Sequence, residues 1–176
     1  MKLGSVIQIN KHTYNDNEGW KLINYLDTGN ITENCIDSLQ QLVVGQDKIP
    51  SRAKRKVLLD SILYSTVRPN QRHYGIIKAV PDNFLVSTGF AVIDVRPDLA
   101  DADFIYYFLT QSEVEKRLQA IAEQSVSAYP SIKPSDIENL DIELPDLNTQ
   151  KRIASVLKAL TAKIESNSAI NDNLAS

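Results

Sequence analysis

Residues that ligate metals or cross-link chains are scarce in this sequence. Its 176 residues include one cysteine, Cys35, and two histidines, His12 and His73, far apart along the chain. A lone cysteine has no intramolecular partner, so a disulfide scaffold is excluded, and a zinc site of clustered ligands is not expected. Glycine is sparse at six residues, and none falls in a Gly-x-Gly or phosphate-loop pattern. The chain is therefore expected to hold no nucleotide or methyl-donor cofactor of its own. No apolar run approaches the roughly 18 residues of a membrane span, and Met1–Val6 lacks the apolar region of a signal peptide. The expectation is a cytoplasmic protein with no membrane partner.

Catalytic patterns are missing too. No lysine has an acid two positions before it, which a Pro-Asp…(Asp/Glu)-x-Lys nuclease site requires, and nothing marks a nucleophile elbow. Asp94, Asp98, Asp101 and Asp103 straddle Pro97 in no metal-loop spacing and read as helix N-terminal acids beside a solvated turn. The chain is expected to catalyse nothing alone.

The hydrophobic fraction of 43% is ordinary for a globular protein. The length suits one domain, with room for an appendage. The net charge of −3 conceals a strong asymmetry. Residues 48–78 carry eight basic side chains against Asp60 alone, whereas residues 94–146 carry twelve acids against four bases. One short stretch is thus as basic as a nucleic-acid-binding segment within an otherwise acidic chain. The run Arg52-Ala53-Lys54-Arg55-Lys56 reads either as a phosphate-contacting segment or as a solvated loop.

Apolar and β-branched runs place strands at 20–26, 41–44, 61–67, 74–80, 84–86 and 89–95, punctuated by Arg68-Pro69-Asn70 and Pro81-Asp82-Asn83. Beyond residue 100 the period changes. Phe104, Ile105, Phe108 and Leu109 share one helical face, and Val114, Leu118 and Ile121 continue it, as one bent helix or two abutting ones. A short helix is expected at 135–139, and Leu140–Pro145 alternates as a half-buried strand does. From Asn148 onward there is neither Pro nor Gly. Ile153, Leu157, Leu160, Ile164, Asn167, Asn171 and Leu174 recur at spacings of 4 and 3, the seam of a coiled coil. An amphipathic helix packed on its own sheet would show a similar stripe. The fold class expected is α/β: a mixed, strand-rich domain over 1–146, followed by a long helix over 147–176.

Arg68-Pro69-Asn70-Gln71-Arg72-His73-Tyr74 concentrates side chains suited to DNA. Arg forks match the guanine O6/N7 edge, and Asn or Gln amides match adenine N6/N7. Arg52, Lys54, Arg55 and Lys56 suit phosphates, where charge fixes orientation without reading sequence. Tyr129 and Ser127, in the irregular stretch before Pro130, could approach DNA or a partner, and Tyr129 could equally pack in the core.

Five segments carry a more specific signal: Pro50–Arg55, Asp60–Pro69, Val86–Ile93, Tyr129–Ile137 and Leu144–Ala154. In sequence and order they resemble one target-recognition domain, with its following helix, of the specificity subunits of type I restriction-modification systems. The resemblance implies a non-catalytic reader of double-stranded DNA that recognises half of a bipartite target. It also implies separate partners: a methyltransferase subunit holding S-adenosylmethionine and a restriction-motor subunit. Specificity subunits of this family usually hold two recognition domains and two antiparallel helices, whereas one copy is found here, which reads as a half-length subunit, a fragment of a longer gene or an expressed domain. Two copies are expected to pair as a homodimer through the helix. Two other readings stand beside this one. A small DNA-acting enzyme would cleave DNA with a divalent metal, and a protein-interaction module working through the helix would show no salt-dependent DNA binding.

Overall fold

The structure, a computed structural model, describes residues 1–125 and 129–175, without the side chains of Asp16 and of residues 172–175. Ten strands are described: β1 (Ile7–Ile9), β2 (Leu22–Leu26), β3 (Ile31–Thr32), β4 (Cys35–Ile36), β5 (Gln40–Val43), β6 (Ala53–Lys56), β7 (Ile62–Ser65), β8 (Tyr74–Ile76), β9 (Phe84–Ser87) and β10 (Phe90–Val95). Four helices follow: α1 (Ala102–Leu109), α2 (Ser112–Glu123), α3 (Pro134–Glu138) and α4 (Leu147–Ala175). The expected α/β class, a strand-rich unit followed by a long helix, is what the chain adopts.

Two four-stranded sheets form, in the orders β1-β10-β7-β8 and β5-β2-β9-β6. The first is antiparallel throughout, and the second contains one parallel pair, β2 with β9. Consecutive strands β9 and β10 belong to different sheets, so the Thr88-Gly89 turn between them joins the two. A side chain at Gly89 would place its Cβ 2.8 Å from the Thr28 methyl carbon, and only glycine leaves room for that loop.

The largest core lies between the first sheet and α1–α3. It includes Ile62, Tyr64 and Ile93 of the strands, Ile105 and Leu109 of α1, Leu118 and Ala122 of α2, and Ile137 of α3. Asp101 caps α1 by accepting the Phe104 N–H at 3.0 Å. The helical stretch is two helices, parted at Thr110-Gln111.

Two expectations need correction. Leu140–Pro145 is no strand. Its one bridge pairs Asp141 with Lys2, because the opposing N-terminal segment turns into a 3-10 helix at Leu3 and ends the ladder. Leu140 and Ile142 are nonetheless buried. The basic run is not a loop, since Ala53–Lys56 is the last strand of the second sheet, and its outer edge is covered by residues 12–14, with the Tyr14 N–H donating to Lys54 O at 2.8 Å and the Lys56 N–H to His12 O at 3.0 Å. The small β3–β4 hairpin escaped the sequence reading. Its Glu33-Asn34 turn has both φ angles positive, at 46° and 69°, as a two-residue hairpin requires. The Asn34 side chain accepts the Ile76 N–H at 2.8 Å and ties this hairpin to β8.

Candidate nucleic-acid interface

Four separate segments converge beside the Thr88-Gly89 turn. Gly89 O accepts both the N–H and the hydroxyl of Thr66, each at 2.9 Å, and Arg52 O accepts the Thr88 N–H at 2.9 Å. The Arg68 N–H donates to Pro130 O at 2.9 Å and the Ile132 N–H to Thr66 O at 2.8 Å, so 66–68 and 130–132 run side by side. These bonds close a cleft of about 440 Å³ lined by Thr28, Arg52, Val67, Arg68, Gln71, Gly89 and Tyr129. Two guanidinium groups and one amide line it, with no carboxylate. Arg68 adopts a left-handed φ of 48° ahead of the 3-10 turn Pro69–Gln71, and its guanidinium lies 5.3 Å from the centre of the Tyr129 ring. A weakly hydrated, planar cation over an aromatic face is held ready for a second planar partner such as a base.

The residues expected to read DNA from sequence divide sharply. Arg52, Arg68 and Gln71 are exposed and share the cleft. Asn70 is exposed beside them, its backbone N–H donating to Gln119 Oε1 at 3.2 Å. Arg72 is committed elsewhere: Nη1 lies 2.8 Å from Glu33 Oε1 and Nε 2.9 Å from Glu115 Oε2. The Glu33 hydrogen bond and the nearby Glu115 charge raise its already high pKa. His73 Nδ1 lies 2.6 Å from Ile31 O, within the contact between β3 and β8. Tyr74 is 6% exposed, stacked on Tyr64 and edge-on to Tyr106, and burial pushes its phenol pKa up. Its place is in the core, because strand alternation on β8 turns it toward α1.

The basic strand is likewise partly spent within the fold. Lys56 pairs with Glu18 at 2.6 Å and lies 5.3 Å from the centre of the Trp20 ring. Arg55 has a buried Nε with no hydrogen-bond partner, and desolvation lowers its pKa. Lys54 is half-buried. Tyr129 is 60% exposed and so is not a core residue, and Ser127 lies outside the described residues. Glu33, Glu115 and Thr28 had no signal in the sequence: Glu33 and Glu115 are 39 and 43 positions from Arg72, and no local pattern pairs residues at that distance. Among the described residues no cluster of three or more His, Cys, Asp or Glu side chains could hold a metal ion.

The second candidate surface is α4. A helix of 29 residues is about 43 Å long. Its first turns pack on α1 through Gln150 and Ala154, 1% and 3% exposed, with Leu157 half-buried. Gln150 is fixed by donating to Pro145 O at 2.8 Å and accepting the Asp101 N–H at 2.9 Å. The heptad seam points elsewhere, roughly 70° around the helix from this packed face at 100° per residue. Ile153, Leu160 and Ile164 are 39%, 56% and 66% exposed, Asn167 and Asn171 are exposed as well, and Leu157 alone is shared between the faces. Leu174 lies outside the residues whose side chains are described. The stripe is therefore not explained by packing against the protein's own sheet. No helix among the described residues is long and apolar enough to cross a membrane.

Comparison with known proteins gives a consistent picture. Residues 1–176 match the family described as type I restriction modification DNA specificity domain. The type I restriction enzyme HindI specificity subunit of Haemophilus influenzae is 29% identical over 150 residues, which are 85% of this chain and 32% of that protein. In fold, the chain is similar to the HsdS subunit from Thermoanaerobacter tengcongensis, with a TM-score of 0.79 at 23% identity, covering 94% of this chain and 42% of that one. A second solved chain, from work on complex assembly and conformational transition of the type I R-M system, gives a TM-score of 0.78 at 23% identity and covers 97% of this chain and 43% of its own. The chain thus spans about a third of the curated relative and under half of the solved ones.

Proposed function

Since the chain belongs to the type I restriction-modification DNA specificity domain family, we propose that it is a non-catalytic recognition module that reads one half of a bipartite DNA target. The observation that carries this reading is the cleft in which Arg52, Arg68, Gln71 and Tyr129, drawn from three different segments, face outward with no acid among them. Arg68 and Gln71 supply the forks and amides that match purine edges, and Arg52, with Lys54 at the flank, supplies charge for the phosphates. Chemistry on the DNA belongs to separate methyltransferase and restriction-motor subunits, and S-adenosylmethionine is expected on the methyltransferase.

Pairing completes the reading. The exposed seam of α4 suits a second copy of this helix, and two copies related by two-fold symmetry would present two clefts to an inverted-repeat target, because protein symmetry is mirrored in the site. The salt dependence of binding tests DNA recognition directly. Several phosphate contacts give a linear fall of log K with log salt, at a slope of about −0.9 per contact. A flat profile, or cleavage of DNA by the pure chain with a divalent metal, would overturn the reading. Mapping methylated sites in cells that carry the chain with its methyltransferase subunit would then report the bases and the spacing between half-sites.

A further inference from the structure

The recognition loop is bracketed by two arginines of opposite fate. Arg68 and Arg72 both hold left-handed φ angles, 48° and 57°, and enclose the 3-10 turn Pro69–Gln71. Few non-glycine residues hold such angles unless the surroundings enforce them. At Arg68 the side chain is turned to the cleft. At Arg72 it lies between Glu33 of the β3–β4 turn and Glu115 of α2, paired with both while still 49% exposed.

We propose that Arg72 is a positioning residue: clamped by Glu33 and Glu115, it fixes the loop so that Arg68 and Gln71 face the DNA, and it contacts no base itself. This rests on the reading of the cleft as the DNA-facing surface. Several further contacts converge on the same clamp. Arg72 O accepts the Glu33 N–H at 2.9 Å, so the hairpin turn grips both ends of the residue. Gln119, one turn along α2 from Glu115, accepts the Asn70 N–H, and its own amide donates to Glu123 Oε1 at 2.9 Å. The loop is thereby held from two elements at once. The Glu115 side chain is only 14% exposed. Withdrawing Arg72 to meet a base would leave that mostly buried carboxylate without its partner, which is unfavourable. Two carboxylates beside the guanidinium also repel an approaching phosphate backbone.

The clamp and a direct base contact predict opposite signs for one experiment. In the full-length chain, Arg72→Ala and the isosteric pair Glu33→Gln with Glu115→Gln are compared with the unaltered protein. The readouts are amide hydrogen exchange of Gln71 and Arg72, taken relative to the β10 amides, and binding to a pool of randomised DNA duplexes. If Arg72 positions the loop, both variants speed loop exchange about tenfold and weaken binding by similar factors, and the ranking of preferred bases is kept. The glutamine pair weakens binding even though it removes two negative charges. The proposal is overturned if the glutamine pair binds DNA as tightly as the unaltered chain or more so, if Arg72→Ala loses preference at one base pair, or if loop exchange is unchanged. Should the unaltered chain show no salt-dependent DNA binding, the proposed function fails, and the exchange rates alone decide the clamp.

Discussion

The guanidinium of Arg68 sits 5.3 Å from the ring centre of Tyr129, across a cleft whose two sides come from strand-end residues 66–68 and from residues 130–132. Among the described residues this pairing leaves the hydrogen-bonding fork of an always-charged side chain free of any carboxylate at the surface, whereas Arg72, four positions on, is held by two.

Arg68→Ala is therefore expected to relax the preference at one base pair by about 1–3 kcal/mol, the range for a bidentate contact to a guanine edge. Arg52→Ala is expected to weaken binding uniformly over sequences and to reduce the salt slope by about one phosphate. Competition binding against single-base variants of the mapped target checks both. Uniform weakening by Arg68→Ala would move that residue to the phosphates.

Leu160→Asp places a charge on the exposed seam of α4, away from the face that packs on α1. The folded domain should keep its thermal midpoint at low concentration, while self-association falls by an order of magnitude or more. Sedimentation of both proteins at tens of micromolar measures this. A monomeric unaltered chain, or an oligomer indifferent to the substitution, would remove homodimerisation from the proposal.

Asp146 begins α4 by accepting the Thr149 hydroxyl at 2.6 Å and the Asn148 and Thr149 N–H groups at 3.1 Å each, and these bonds, the Thr149 hydroxyl foremost, lower its pKa below the ordinary 3.8. A depressed pKa means the folded state favours the ionised form. Its stabilisation is complete above the unfolded value and is lost as pH falls through the folded one. Helical signal from α4 should thus decline in acid below about pH 4. Asp146→Asn should keep the cap and lose this share of the pH dependence, and Asp146→Ala should lose both. Circular dichroism across pH 2–6 distinguishes them.

Tyr64 is 1% exposed and its hydroxyl has no hydrogen-bond partner, so burial pushes the phenol pKa well above its usual value. A buried unsatisfied hydroxyl costs on the order of 1 kcal/mol or more. Tyr64→Phe removes that cost while retaining the stacking on Tyr74. Denaturant unfolding should show equal or greater stability by up to about 1 kcal/mol. A loss larger than that would reveal a partner that the hydroxyl finds in solution.

Most element positions could be read from sequence because they follow from local periodicity. Ile105 and Leu109, like Val114 and Leu118, point to one side at helical spacing, and the continuous apolar run of β10 marks a strand buried on both faces, with Ala91 and Ile93 in one core and Phe90 and Val92 in another. The misreadings share a cause. Leu140–Leu144 alternates like a strand, but a strand also needs an edge to pair with, and the N-terminal segment offers it a single bridge. β3 and β4 are two residues each, too short for any periodicity to show.

The sequence by itself determined the family, the strand-then-helix order, the heptad stripe of α4 and the concentration of basic charge at 48–78. Each is a property of residues near one another along the chain or of ordered local segments. Only the tertiary structure decided which of the candidate DNA-facing side chains reach the cleft. Arg68 and Arg72 are chemically identical and nearly adjacent, and what separates them is whether a carboxylate 39 or 43 positions away is folded alongside. It likewise decided that α4 turns Gln150 and Ala154, with Leu157 alone of its apolar stripe, toward the domain. Burial and ion pairing depend on neighbours in space, and those neighbours are set by the packing of hairpin, sheet and helix together.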